Sequence, residues 1–194
     1  MRRRYTEKTY EALELIASFH SVFPGYKDRL HTMWIQLLDE GDYAFSRSNM
    51  RGHITASMLV LDPTMQECLL VDHLHHKLWL PPGGHVEDGT LAANALREVE
   101  EETGLQGTEL IVSHPIHIDT HPITPRPAKN EGAHFHHDML FLGLAQERVT
   151  RPQEEEVAEV RWWPLEEIAN GNGHAADGAR NAITAIKNGD RFTT

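Results

Sequence analysis

The sequence predicts an α/β (α+β) protein carrying an N-terminal helical extension, and three observations support that expectation. Hydrophobic spacing is helical before about residue 52 and strand-like after it. Beyond that point, short aliphatic and β-branched segments give way to helical patterns and return, as expected of a sheet with helices on it. At 194 residues with 40% hydrophobic content, the chain can bury one sizeable core and is short for two enzymatic domains. The expected organisation is an extension over residues 1–52 and one main domain over 53–194.

In chain order, residues 6–20 and 26–40 read as helices, the second presenting Leu30, Met33, Trp34, Leu37 and Leu38 on one face. Pro24 and Gly25 mark the corner between them. Strands are expected at 53–62 and 67–73, joined through Pro-Thr-Met-Gln. The run KLWLPPGGHVEDG is expected to be irregular past Leu80, because its prolines lack donors and its glycines free the backbone. A helix then runs from Leu91 to Thr103, with Thr90 placed to cap its start and Gly104 to end it. Further strands are expected at 108–118, 134–145 and 157–163. PLEEIANG and 175–187 look helical, the latter with Ala179, Ala182, Ile183 and Ile186 on one side. The loop HPITPRPAKNEGA, residues 121–133, is the longest irregular piece expected.

Composition narrows the classes of function. A formal charge of -11 argues against non-specific binding to nucleic acid or to an anionic membrane, both of which need clustered Lys and Arg. The N-terminal MRRR is the one dense basic patch, and no signal-length apolar run follows it. No segment is apolar for long enough to span a bilayer. A single cysteine, Cys68, rules out an intrachain disulfide framework and points to a reducing compartment, with the cytoplasm as the default.

The stretch REVEEETGL sets Glu98, Glu101 and Glu102 at i, i+3 and i+4, so three carboxylates converge on one helical face. They sit where the helix macrodipole is negative, which costs about 0.3–1 kcal/mol for each exposed carboxylate. Arg97 offsets part of this through Glu101. One reading is a solvated acidic face. The other is that a hard divalent cation, Mg²⁺ or Mn²⁺, holds the acids together. The segment just upstream favours the cation, since PPGGHVEDG leads into the same helix and its glycines allow close backbone approach to an ion or phosphate.

GGHVEDGTLAANALREVEEETGL, residues 83–105, resembles the signature of the Nudix hydrolases: Gly, five residues, Glu, seven residues, then Arg-Glu, an aliphatic, any residue, Glu-Glu, any residue, Gly, an aliphatic. Its second half matches at Arg97, Glu98, Val99, Glu101, Glu102, Gly104 and Leu105. EVRWWPLEEI, residues 159–168, resembles the strand and short helix that close that fold. The first half departs from the pattern. Counted from Gly84 the spacing to Arg97 is one residue short, and counted from Gly83 the place of the isolated glutamate falls on Gly89. In the family that glutamate mainly supports the loop and helix, so the resemblance still implies activity.

The resemblance implies an α/β/α sandwich with a mixed sheet over 53–194 and hydrolysis of a nucleoside diphosphate linked to another group. Glu98, Glu101 and Glu102 would coordinate Mg²⁺ or Mn²⁺, the Gly83 carbonyl would be a further ligand, and Arg97 would orient the glutamates. The family draws its general base from varied places; Glu154, Glu155 and Glu156 are candidates, with Glu155 taken as the representative, although an exposed acidic turn explains them equally well. The partner implied is a small nucleotide-diphosphate substrate, and a homodimer is allowed. A Nudix-fold module that senses a nucleotide without cleaving it is the alternative, resting on the displaced glutamate. Isoprenoid isomerisation would need a cysteine in the pocket, whereas Cys68 lies in an apolar strand.

Fourteen histidines are unusual, and they cluster in DHLHH, HPIHIDTH and HFHHD. On a strand over 134–142, His134, His136 and Asp138 share a face and could bind a transition metal, but alternate residues stand about 7 Å apart. Lining the substrate pocket is the stronger expectation for them. Trp79, Phe135, Trp162 and Trp163 read as core, with one of them available to stack on a nucleobase.

Overall fold

Helix α1 (Glu7–Val22) turns Thr9, Ala12, Ile16 and Phe19 inward at alternating steps of three and four, the stripe an amphipathic helix needs to pack on a core. Helix α2 (Lys27–Glu40) does the same with Leu30, Met33 and Leu37, while Leu38, expected on that face, is exposed. A 3₁₀ turn at Pro24–Tyr26 joins them. The computed structural model describes residues 5–74, 77–125, 131–152 and 157–189. Glu154, Glu155 and Glu156, together with Arg126 and Lys129 of the long loop, fall outside them.

The strands are β1 (His53–Leu61), β2 (Glu67–His73), β3 (Leu78–Leu80), β4 (Gly83–His85), β5 (Glu109–Leu110), β6 (His117–Ile123), β7 (His134–Leu144) and β8 (Val157–Pro164). They form one mixed sheet in the order β3-β2-β1-β7-β5, with β4 beside β1, β6 beside β7 and β8 beside β2. The β1–β7 ladder at its centre is parallel and the other ladders are antiparallel. Helix α3 (Leu91–Thr103) shares with α1 and α2 the core built on Ile54, Ala56, Met58, Met139 and Phe141. Helices α4 (Leu165–Ala169) and α5 (His174–Asn188) cover the other face, over Leu59, Leu61, Leu140 and Leu142. The mixed α/β/α sandwich with its N-terminal helices is therefore present.

Strand alternation fixes which residues meet the cavity. Beyond the second core, the face carrying Leu59 and Leu140 continues into His53, Thr55, Ser57, His136 and Asp138, a polar end met by the start of α5.

Four expectations need correction. Residues 83–85 are a strand, because Gly83, Gly84 and His85 pair with Ser57, Ala56 and Thr55. The strand expected over 108–118 is broken between Leu110 and His117: Ile111 and Ile116 still donate to Leu142 and Leu140, but the chain bends between them and Pro115 has no N–H to give. The loop expected from 121 begins later, since His121, Pro122 and Ile123 finish β6, an edge strand on which proline is tolerated. Phe135, expected in the core, is 45% exposed: it points to the face that carries Met139 and Phe141, but at the start of β7, beyond the reach of that core.

The N-terminal helices are tied down by one carboxylate. Asp42 Oδ1 accepts hydrogen bonds from the Thr6 N–H (2.9 Å), the Thr6 hydroxyl (2.9 Å) and the buried Thr9 hydroxyl (2.6 Å). Removing it strands the buried Thr9 hydroxyl and takes the acceptor from the partly buried Thr6 donors at the start of α1. Asp42→Ala is expected to cost about 1–3 kcal/mol, measured by urea unfolding; an unchanged midpoint would show that water replaces the carboxylate.

Candidate functional site

The cavity is about 590 Å³ and lies at the polar end of the sheet, bounded by β1, β3, β4, β6, β7 and the start of α5. Glu98 and Glu102 reach its wall from α3. They do so because β4 is made of glycine where the helix crosses it: a Cβ on Gly84 would stand 2.5 Å from Glu98 Oε1, and one on Gly83 would stand 2.7 Å from Ser57 Cα. Both glutamates are buried, at 8% and 2% exposure, and the Gly83 N–H donates to Glu102 Oε2 at 3.3 Å. Two carboxylates one helical turn apart on a cavity wall suit a hard divalent cation.

Arg97 organises this group. Its guanidinium donates to Glu98 Oε1 (2.8 Å), to Glu101 Oε2 (2.6 Å) and to the His85 carbonyl (3.0 Å), fixing the helix to β4. Glu101 is placed differently from its two neighbours, with its side chain 50% exposed, paired to Arg97, and absent from the cavity lining. Gly83 lines the cavity. Glu155 lies outside the described residues.

The helix that carries the acids begins and ends as its sequence predicts. The Thr90 hydroxyl accepts from the Ala93 N–H (3.1 Å), and Gly104 adopts φ 68°, a left-handed turn suited to glycine. Two supports were not foreseen. Glu11 of α1 accepts from the Leu91 N–H (3.0 Å), and Asn94 accepts from the Glu87 N–H (2.9 Å) while donating to the carbonyls of Asp88 (3.0 Å) and Thr90 (2.8 Å). An asparagine in the first turn of a helix after a Gly-rich loop is a signal that could have been read. The partnership with Glu11, across 80 residues, could not.

His134, His136 and Asp138 share a face but do not assemble as a trio. Asp138 accepts from the Thr55 hydroxyl (2.7 Å) and from the Ser57 hydroxyl, and it meets His174 Nε2 at 3.0 Å in an ion-pair contact rather than an aligned hydrogen bond. Burial opposes the charge on Asp138, yet His174 and the two hydroxyls outweigh it and hold the carboxyl well below its usual range. Burial opposes the charge on His174 too, and contact with Asp138, aided by Asp119 and Asp177, overcomes it and raises the imidazole above its ordinary value. His174 is thus biased toward its charged form on the cavity wall, with no sequence signal to announce it. His121 Nδ1 lies 3.1 Å from Asp119 Oδ2, a bond that lowers Asp119.

His136 has gone the other way, pushed down to about 2 by burial and by the neighbouring His53, His85, His121 and His134. His137, on the opposite face of β7, is fully buried between Gln36 Oε1 and the Thr120 hydroxyl, each 2.9 Å away. Burial holds it at about 4. Trp79 lines the cavity half-buried, its ring 5.5 Å from that of Trp163, so it is wall as well as packing. Cys68 is buried in the second core and its thiol is pushed up to about 12, which removes it from pocket chemistry.

Against this geometry, the family model for the NUDIX domain matches residues 51–183. The chain belongs to the NUDIX family. It is 37% identical over 108 residues to a protein named MutT4 from Mycobacterium tuberculosis (strain CDC 1551 / Oshkosh), covering 54% of this chain and 40% of that one. It is 46% identical over 56 residues to the asymmetrical bis(5'-nucleosyl)-tetraphosphatase of Rattus norvegicus, covering 27% of this chain and 37% of that one. The matched segments therefore span about two fifths of the length of these relatives. A NUDIX-family hydrolase from Clostridium perfringens superposes with TM-score 0.52 at 21% identity, over 72% of this chain and 97% of that one. An Ap4A hydrolase of C. elegans superposes with TM-score 0.51 at 17% identity, over 70% and 98%. At these identities the superpositions establish the fold. Among the described residues, no helix is long and apolar enough to cross a membrane.

Two predictions follow from these supports and charges. Asn94→Ala removes the side-chain partner of the Glu87 N–H and the Asp88 carbonyl, while the Thr90 carbonyl keeps the backbone N–H of residue 94, and is expected to lower unfolding free energy by about 1–3 kcal/mol; full retention of stability in urea would mean that the loop holds itself. For His137, the folded value lies below the unfolded one, so the unfolded chain binds the extra proton between pH 6.5 and about 4. Its contribution makes stability fall as pH falls through that window, by at most about 1.4 kcal/mol per pH unit. Urea titrations at stepwise pH should show a shallower slope in His137→Gln; an identical slope would place the titration elsewhere.

Proposed function

We propose that the protein is a divalent-metal-dependent hydrolase that cleaves a pyrophosphate bond in a nucleoside diphosphate linked to another group, with Mg²⁺ or Mn²⁺ as the ion. The observation that carries this reading is the charge of the cavity wall. Glu98, Glu102, Asp119, Glu131 and Asp138 line it, and among the described residues they outnumber the cationic groups there, Arg47 and the His174 imidazole that sits against Asp138. Carboxylates gathered on one wall repel one another and a polyanionic substrate alike. A diphosphate enters such a cavity together with cations that it shares with the carboxylates.

Glu98 and Glu102 would hold the ion from the wall, with the Gly83 carbonyl as a further oxygen ligand. Glu101 would join by exchanging its contact with Arg97 for the ion. Arg97 acts as the positioning group, since its bonds to Glu98 and to the His85 carbonyl keep the carboxylates facing the cavity. The bound ion would neutralise the diphosphate and lower the pKa of an attacking water. Glu155 is proposed to take the water's proton: β8 begins at Val157 opposite His73, and His73 lines the cavity. Trp79 offers a flat apolar surface for a nucleobase. The name of the rat relative places dinucleoside polyphosphates on the panel of substrates to test.

Purified protein incubated with nucleoside diphosphate derivatives and dinucleoside polyphosphates should cleave one class with Mg²⁺ or Mn²⁺ and none with chelator. Glu102→Gln is expected to lower that turnover on the order of 100-fold or more while the thermal midpoint stays near the parent value. Cleavage that survives the chelator, or near-normal turnover in Glu102→Gln, sinks the assignment. Nucleotide-induced thermal stabilisation without cleavage of any member would make the chain a binding module.

A further inference from the structure

Three imidazoles converge where β1, β4 and β7 meet. His53 opens β1, His85 closes β4 and His136 lies in β7, and their ligating nitrogens all fall within 4.8 Å of one another. The ladder registers bring this about: His53 pairs with His136 across the β1–β7 ladder, and His85 pairs with Thr55, which shares a face with His53. We propose that His53, His85 and His136 form a binding site for one divalent transition ion of the Zn²⁺ class, distinct from the carboxylate group on α3.

The donor chemistry fits. Imidazole nitrogens suit Zn²⁺, Co²⁺ and Ni²⁺, whereas the carboxylates of α3 suit Mg²⁺ and Mn²⁺, so the two sets select different ions. Donors about 2.0–2.1 Å from a tetrahedral Zn²⁺ stand roughly 3.3 Å apart. His53 Nε2 and His85 Nε2 are already 2.9 Å apart, and with all three nitrogens within 4.8 Å of one another the rings have to draw in by about 1.5 Å at most to reach that spacing. The contacts His53–His85 and His134–His136 account for these rings two at a time; an ion would bring His53, His85 and His136 to one centre, with His136 exchanging its contact with His134 for the metal. The surroundings also orient the rings. The His53 Nδ1 faces the Asn49 carbonyl at 3.5 Å, which turns Nε2 toward the group. His134 stacks on His53 with centroids 4.8 Å apart, donates from Nδ1 to the Gly132 carbonyl at 2.8 Å, and stands with its Nε2 3.2 Å from His136 Nε2. His53 is buried, while His85 and His136 line the cavity. Three protein donors with the fourth position toward a cavity is the pattern of a site that binds water or a substrate oxygen.

Co²⁺ is the probe. Chelator-treated protein titrated with Co²⁺ should bind one equivalent and develop the intense visible d–d bands of a four-coordinate ion. His85→Gln and His136→Gln should each abolish those bands, with melting curves confirming that the variants are folded. Glu102→Gln should keep the bands even as it loses Mg²⁺-dependent cleavage, which separates this site from the proposed hydrolytic one. X-ray absorption of the Zn²⁺-loaded parent protein should count three imidazole ligands and requires no variant. Binding only at millimolar metal, bands that survive both histidine variants, bands lost in Glu102→Gln, or an oxygen-dominated shell would each overturn the proposal.

Discussion

The close passage of β4 between β1 and α3 is the constraint on which the cavity depends. Gly83 packs so tightly on Ser57 that a side chain there would meet backbone, and Gly84 leaves room for the Glu98 carboxylate where any Cβ would collide with it. Helix α3 belongs to the layer that also holds α1 and α2, yet its acids serve a cavity on the opposite face of the sheet. Two adjacent glycines make that crossing feasible. The Gly83 N–H bond to Glu102 and the Arg97 bond to the His85 carbonyl then lock helix and strand into one unit.

Once the acids are placed, the rest of the wall divides the histidines by charge. On the side next to β4, rings crowd one another and burial keeps His136 neutral, the form able to ligate. Across the cavity, Asp138 and its neighbours favour the charged form of His174 despite burial. One residue type is therefore held neutral at one edge and biased toward the charged form at the other. The difference lies in which carboxylates are near, since Asp138 is engaged by His174, Thr55 and Ser57 and is not shared with His134 and His136.

What the sequence made legible was local. The span of α3, its Thr90 cap and its Gly104 end are set by neighbours a few residues away, and so is the convergence of Glu98 and Glu102. Amphipathic spacing revealed α1, α2 and α5 for the same reason. Strand β4 was missed because glycine lacks the side-chain alternation by which strands are recognised, and the break after Leu110 was missed because its apolar residues continue through Ile116 while the backbone bends. The trio His53, His85 and His136 was invisible, since only the parallel register of β1 on β7 and the pairing of β4 with β1 bring those positions together. Periodicity placed His134, His136 and Asp138 on a common face correctly; it could not reveal that His174 takes the carboxylate.

The departure from the Nudix pattern has a physical resolution in the N-terminal helices. The resemblance leaves no glutamate where the loop enters α3, and that residue's expected task is to support the loop and helix. Here a carboxylate reaches the start of α3 from elsewhere: Glu11 of α1 accepts the Leu91 N–H, one of the amides a helix cannot satisfy itself, and sits at the positive end of the macrodipole. Asn94 stitches the loop backbone from within the helix. Asp42, in turn, fastens the beginning of α1, so the support of the acidic helix runs through residues outside the matched segment of 51–183. A helix whose C-terminal half carries four acids against its own dipole needs a firm N-terminus, and in this chain the N-terminal extension helps to provide one.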